Sequence, residues 1–285
     1  MEIGVECDHF APAALKDKMK ISVITPNYNG ARFLEASLRS VQEQAGSGVD
    51  VEHIVIDGGS SDASMDIVER FRGGLAHVIC ERDKGPASAI NKGLRLATGD
   101  VVAWLNSDDC YRPEALRRVA ETMQAYPGKA LCFGHCPIIS EDGIEIRRGI
   151  TRFKAMFFPV SSRFVIQSIN YVSQPAMFFR RSAYLAAGPL REDLSYAWDY
   201  DFILRLWRQG GAVQVKGPAL AEFRWHPGSL SGTGFVRQFE EELQAAIEDA
   251  GRYSFQVLLH RGVRWGIVTI YGLMAKRRMA KPEDS

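Results

Sequence analysis

Residues 101–111 read VVAWLNSDDCY. The first five form an unbroken apolar run too short for a helix, the pattern of a strand buried on both faces. The run stops at Asn106-Ser107-Asp108-Asp109, a polar turn, and a helix with Pro at its start is expected over 113–126. Upstream, KISVIT (20–25) and VEHIVI (51–56) are β-branched strands, and a shorter one is expected at 77–80. Helical spacing fills the gaps at 33–44, 62–71 and 87–97. This alternation predicts an α/β fold, with a mostly parallel sheet flanked by helices. In such sheets ligands gather beyond the carboxyl ends of the strands. Three polar turns then share one rim: Thr25-Pro26-Asn27-Tyr28-Asn29, Asp57-Gly58-Gly59-Ser60 and Asn106-Ser107-Asp108-Asp109.

The second half changes character. Strands are expected over 131–139 and 145–148 around an Asp142-Gly143 turn, and again at 176–179 and 212–215. Helices are expected over 198–209 and 235–250, whereas 153–174 shows no readable period.

The chain has 285 residues, 46% hydrophobic and 24% charged, an ordinary globular balance. Lys plus Arg is 35 and Asp plus Glu is 34. A net charge of +1 argues against nucleic acid as a partner. Five cysteines without a CxxC pair point to reduced thiols in a cytoplasmic protein, not to a disulfide framework or a zinc site. Residues 1–19 read as an N-terminal extension that is neither a secretory signal nor a membrane span. GVRWGIVTIYGLMA (262–275) is followed by Lys276, Arg277, Arg278 and Lys281. It is either an interfacial helix on the inner face of a membrane or a helix packed on the body or on a partner subunit.

Asp108 and Asp109 repel each other unless a cation or donors compensate them, so they are candidate ligands for Mn2+ or Mg2+ holding a diphosphate. Turn and capping chemistry is the alternative. Asp57, with Gly58 and Gly59 behind it, is a candidate acceptor for a base or ribose. Asp199 and Asp201 open a helix, where either could serve the helix dipole and one could be a general base. His226 is structural or a metal ligand. Neither GxGxxG nor GxxxxGK[ST] occurs.

Taken together, ISVITPNYNGARFLEASLRSVQEQ, VEHIVIDGGSSDASMDIV, ERDKGPASAINKGLRLATGDVVAWLNSDDCYRP, SQPAMFFRRSAYLAAG, YAWDYDFILRLW and FRWHPGSLSG resemble family 2 glycosyltransferases of the GT-A fold over roughly residues 20–232. WLNSDDCY is similar to non-processive enzymes of O-antigen and other cell-surface polysaccharides. The resemblance implies a Rossmann-like sheet with a smaller mixed acceptor-side sheet and a C-terminal helical appendage. It implies a nucleotide-sugar-binding half at 20–112, an acceptor-binding half at 113–232 and a helical, basic segment at 233–285. It further implies transfer with inversion of a sugar from a nucleotide-diphosphate sugar, a UDP-sugar above all, to a saccharide or lipid-linked saccharide acceptor. Thr25, Pro26, Tyr28 and Asn29 match the nucleotide-binding first loop, and Asp57 with Gly58 the base contact. Lys84, Gly85, Ser88 and Asn91 match the segment over ribose and diphosphate. Asp109 matches the direct metal ligand, Asp108 the ribose or second ligand position, Asp199 the base, and His226 a late metal or diphosphate contact. Asn106 and Trp198 depart from the family, which often has Asp and Glu there. The QxxRW signature of processive synthases is absent, since Ala221 and Arg261 stand where Gln is needed. A sugar nucleotidyltransferase, a glycoside hydrolase and a non-catalytic scaffold of a polysaccharide assembly complex remain as alternatives.

Overall fold

A computed structural model describes residues 18–46, 48–229 and 234–266. Its centre is a parallel run of four strands: β1 (Lys20–Asn27), β2 (Asp50–Asp57), β3 (His77–Cys80) and β4 (Val101–Trp104). Helices α1 (Ala31–Gln42), α2 (Ser64–Arg70) and α3 (Pro86–Leu96) make the crossovers, and α4 (Ala115–Ala125) follows β4 after a two-residue β5 (Cys110–Tyr111). The sheet continues past β4 through β9 (Met177–Arg180), β6 (Leu131–Phe133) and β10 (Ala212–Gln214). The order is β10-β6-β9-β4-β1-β2-β3, with only β9 antiparallel. Strands from both sides of residue 112 therefore share one sheet.

Alternation along each strand explains the layering. Val101 and Ala103 pack with Leu116, Val119 and Met123 of α4, whereas Val102 and Trp104 pack on the other face with Ile90 and Leu94 of α3. Trp104 is fully buried, with ring centroids 5.7 Å from Trp198 and 6.0 Å from Phe202. Both partners lie on α8 (Trp198–Trp207), so the strand that delivers Asp108 is packed directly on the helix that delivers Asp199.

β1 runs two residues beyond the expected strand, through Pro26 to Asn27. Pairing with β4 ends at Ile24, so the missing Pro26 N–H breaks no bond on that side. The expected strand over 131–139 is two strands. Gly134 breaks the run where Leu220 packs so closely that a Cβ would lie 2.6 Å from its Cδ1, and Pro137 follows. Its second part, β7 (Ile138–Ile139), pairs with β8 (Glu145–Ile146) around the Asp142-Gly143 turn, as expected. With β5 and β11 (Ala221–Arg224) they form a small mixed sheet, order β5-β11-β7-β8. α5 (Arg148–Ala155) begins within the expected 145–148 strand, which ends at Ile146, and runs into the unreadable stretch, which holds α6 (Arg163–Ser168); α7 (Arg181–Ala187) follows β9. α9 (Phe235–Ala250) is part of the main core, where Ala245 and Ala246 are buried. No helix of the described residues is long and apolar enough to cross a membrane. Of the 262–275 stretch, residues 267–275 lie outside the described residues, as do 1–17 of the N-terminal extension.

Candidate active site

The turns after β1, β2 and β4 meet on one rim. Gly30 lets the first and third turns approach closely: a Cβ there would meet Asn27 Oδ1 and lie 2.7 Å from Ser107 Oγ, so those side chains would have to shift. Gly58 likewise makes room for Asp83, whose Oδ2 would be 2.8 Å from a Cβ. Asp57, expected to contact the base, is fully buried and committed to its own turn. It accepts hydrogen bonds from the backbone N–H groups of Gly59 and Ser60, from Ser60 Oγ and, at 2.7 Å, from Asn27 Nδ2. Burial alone would raise its pKa, but these donors outweigh burial and hold it below the usual carboxylate range. Asn27 Oδ1 is buried at the same rim without a hydrogen-bond partner.

Thr25 and Pro26 are interior rather than nucleotide-facing. The Thr25 hydroxyl is buried 2.9 Å from His53 Nε2 of β2, because β1 is covered on both faces. Tyr28 and Asn29 are exposed on the rim, and Asn29, at φ 50°, accepts a 2.8 Å bond from the Ser61 N–H. Lys84 is exposed and forms no ion pair among the described residues, and Gly85 caps α3 at φ 120°. Ser88 is half-buried in the first turn of α3. Asn91 is a correction: it is buried deeper along α3, exchanging two 2.9 Å hydrogen bonds with the Leu190 backbone. That side chain ties α3 to the 188–192 loop and has no free edge for a ribose.

Asp109 is fully buried. It accepts a 2.9 Å bond from the Arg224 N–H and a 3.2 Å bond from Asn106 Nδ2. Asn106 thus supplies a donor where an Asp would add charge. Asp108 keeps 24% of its side chain exposed and lies 3.1 Å from His226 Nε2. Asp108 with His226 forms the more accessible edge, and Asp109 stands behind it. Arg224, buried at the end of β11, donates to the carbonyls of Asp108, Ser140 and Glu141 and lies over the Phe33 ring. Burial pushes the pKa values of both aspartates up, and the charge of Asp108 raises that of Asp109 further. Among the described residues no group of three His, Cys, Asp or Glu side chains is arranged to hold a metal ion. Two carboxylates that resist joint ionisation, with an imidazole at their open edge, fit a divalent cation completed by ligands from a diphosphate.

Asn106 also lines a cavity of about 430 Å³ that reaches Asp199 at the start of α8. Asp201 is engaged in an ion pair with Arg205, Nε to Oδ2 at 2.9 Å, which leaves Asp199 as the carboxylate facing the cavity. Burial pushes the Asp199 pKa up to about 6, against the Tyr200 N–H and the charge of Lys154. Lys154 of α5 and Glu242 of α9 line the same space. Burial holds the Lys154 ammonium below its usual pKa, and burial with the charge of Asp199 pushes Glu242 up to about 7. Beside it, Glu241 accepts hydrogen bonds from the N–H groups of Ser195, Tyr196 and Ala197, at 2.7 Å from Tyr196. These are orphan donors ahead of α8, so α9 fixes the helix end that carries Asp199.

Residues 22–186 match the sequence model of glycosyl transferase family 2. The chain belongs to that family. This glycosyltransferase is 28% identical to an uncharacterized glycosyltransferase of Nostoc sp. over 86% of its own length and 77% of the relative's. It is 28% identical to the succinoglycan biosynthesis protein ExoO of Rhizobium meliloti, over 89% of this chain and 75% of that one. Among solved structures it is similar to a mannosyltransferase of Pyrobaculum calidifontis in complex with GDP-Man and Mn2+ (TM-score 0.66, 20% identity, 95% of this chain and 78% of that one). It is also similar to residues 1–349 of S. aureus TarS in complex with UDP-GlcNAc (TM-score 0.64, 19% identity, 81% and 67%). The likeness to both confirms the GT-A fold expected from the motifs.

Several residues of the glycosyltransferase site escape sequence reading. Gln174 lies in the quoted SQPAMFF segment and links the Trp104 carbonyl to Asn106 at 2.8 and 3.3 Å. Lys154, Glu241 and Glu242 carry no local signal, since a Glu-rich amphipathic helix reads as a solvated face. Asp199 and Glu242 share the cavity, so the two carboxyls titrate as a pair, the charge of Asp199 pushing Glu242 up. The wild-type pH–rate profile should therefore rise through about 6 and show a second step near 7. Glu242→Gln should keep the first and erase the second; a purely structural role would change the amplitude and leave both steps.

Proposed function

We propose that this glycosyltransferase moves one sugar, with inversion, from a UDP-sugar to a hydroxyl of a saccharide acceptor in cell-surface polysaccharide synthesis. The observation that carries the reading is the cavity, whose walls include Asn106 of the carboxylate turn and Asp199. Donor and acceptor would meet along it. A base that titrates near 6 is deprotonated at neutral pH yet still basic enough to accept a proton from an attacking hydroxyl. Thr151 Oγ1 and Asn170 Oδ1, both buried cavity atoms without hydrogen-bond partners, suit the hydroxyls of a sugar. Trp198, Tyr196 and Phe153 supply apolar surface for its ring faces. The acceptor half thus extends from 113–232 into α9.

On the donor side, Tyr28, Asn29, Asn27 and the turn organised by Asp57 would receive the nucleotide, and Lys84 with the α3 N-terminus its phosphates. Asp108 and His226 would hold Mn2+ or Mg2+, with Asp109 and Arg224 keeping Asp108 in place. Such an ion supplies neutralisation of charge on the leaving diphosphate. The complexes of structural relatives with UDP, with UDP-GlcNAc, and with GDP-Man and Mn2+ support a nucleotide-sugar donor and a divalent ion. The ExoO relative supports the polysaccharide assignment. The free thiols of Cys80, Cys110, Cys132 and Cys136 suit a cytoplasmic setting.

A thermal-shift panel of UDP, GDP and dTDP with and without Mn2+ tests the donor side. UDP with Mn2+ at about 100 times its dissociation constant should stabilise by about 2.7 kcal/mol. That corresponds to a rise in Tm on the order of 5 °C. A larger shift with GDP would reassign the base, and no shift with any nucleotide would overturn the reading. Release of pyrophosphate instead of a nucleoside diphosphate would make the protein a nucleotidyltransferase.

A further inference from the structure

Most of the large apolar side chains exposed among the described residues lie on two segments, with Tyr28, Tyr126, Ile144, Leu185 and Val236 elsewhere. Phe153, Met156, Val160 and Phe164 are exposed on and between α5 and α6, Met156 to 71%. Tyr253, Phe255, Leu258 and Leu259 are exposed after α9, where residues 255–266 are helical; Phe255 is exposed to 63%. A ring contact and a shared cavity join the segments. The rings of Phe164 and Phe255 stack with centroids 6.2 Å apart, and Phe153 and Val263 line the same cavity. An apolar face of this kind marks an interaction site.

Charge identifies the occupant. No Asp or Glu occurs between Glu145 and Glu192, and every charged residue from Arg252 to Lys281 is Lys or Arg. Arg163 and Arg264 are engaged by Asp249 and Glu240. Arg152 and Arg252 are exposed and form no ion pair among the described residues. A lipid surface with anionic headgroups satisfies both halves of the pattern. Apolar side chains enter below the headgroups while arginines remain among the phosphates.

We infer that α5, α6 and residues 252–266 form a docking face for an anionic lipid bilayer, bringing the cavity against an acceptor carried on a membrane lipid. The docking stands on the face alone; the lipid-borne acceptor rests on the proposed function. Lys154 of α5 and His260, Val263 and Arg264 of the later helix line the cavity that holds Asp199, so the docking face adjoins the reacting end of the site.

Co-sedimentation of the full chain with phosphatidylglycerol-rich vesicles, against pure phosphatidylcholine vesicles, tests this. The wild type should sediment with the first, less with the second, and less at high salt. Arg152→Gln and Arg252→Gln should each weaken binding about fivefold. The pair Met156→Glu and Val160→Glu should weaken it about tenfold. The thermal shift with UDP and Mn2+ reports the donor site and should be unchanged in every variant, which also shows that each is folded. A wild type that stays in the supernatant, or a glutamate pair that binds like the wild type, overturns the inference. Self-association abolished by the same variants, without vesicle binding, overturns it in favour of a second copy of this chain. Vesicle binding without any nucleotide shift would leave the docking intact and remove the proposed function instead.

Discussion

Asp199→Asn should lower turnover, measured as nucleoside diphosphate release, by about 10²–10⁴-fold. Asparagine keeps the shape and can still accept the 2.7 Å bond from the Tyr200 N–H, so α8 should start in the same place. It cannot take a proton from an attacking hydroxyl. The UDP thermal shift should persist, because the proposed nucleotide site is formed by the rim turns and not by α8. Stability should move the other way. The folded pKa is raised from 3.8 to about 6, so the folded state disfavours ionised Asp199 relative to the unfolded chain. That penalty is absent below about pH 3.8, grows between there and about 6, and is complete above. The Asn variant should melt higher than wild type at pH 8 and lose the advantage toward pH 4. Near-normal turnover would eliminate Asp199 as the base.

Arg224→Ala should be the most damaging single change apart from those at Asp199. Its guanidinium donates to three carbonyls, at 2.8 Å for Glu141 and 3.0 Å for Asp108 and Ser140. Removing it leaves the half-buried carbonyls of Asp108 and Glu141 without that donor, while Ser140 keeps the Gly143 N–H, and withdraws a positive charge beside two desolvated aspartates. A loss of about 3 kcal/mol is expected from the unpaired groups, read as a Tm lowered on the order of 6–10 °C. With the Asp108 turn released, turnover should fall about 10²-fold even in the folded fraction, the cost of a misplacement near 1 Å. Arg224→Lys should rescue little, because a point charge cannot span three carbonyls fixed by the planar fork. An unchanged melting temperature with full turnover would show that the turn is held by other contacts.

The strands and crossovers of the first half were legible because each is local. An apolar run such as VVAWL needs no distant partner to read as a buried strand, and a polar turn ends it where the pairing ends. The small sheet was harder. Its strands β5, β7 and β8 have two residues each, and β11 has four, too short for a period to be read. Residues 153–174 fail for a related reason: they hold only the end of α5 and the six-residue α6, too short for a period to be read.

Family, α/β class and the meeting of three turns on one rim follow from the order and spacing of the residues, since a parallel sheet sends all its strand ends to one side. Which side chains within those turns face outward was decided by packing across the chain. Thr25, Asn91 and Asp57 carry suitable chemistry, yet His53, the Leu190 backbone and the 58–60 turn consume their hydrogen-bonding groups. Asp108 and Asp109 are neighbours in sequence with opposite exposure, because the Arg224 N–H reaches one and His226 the other from more than a hundred residues away. The same holds for Asp199: its raised pKa comes from burial beside Lys154 and beneath α9, an environment assembled only when those distant helices close over the cavity.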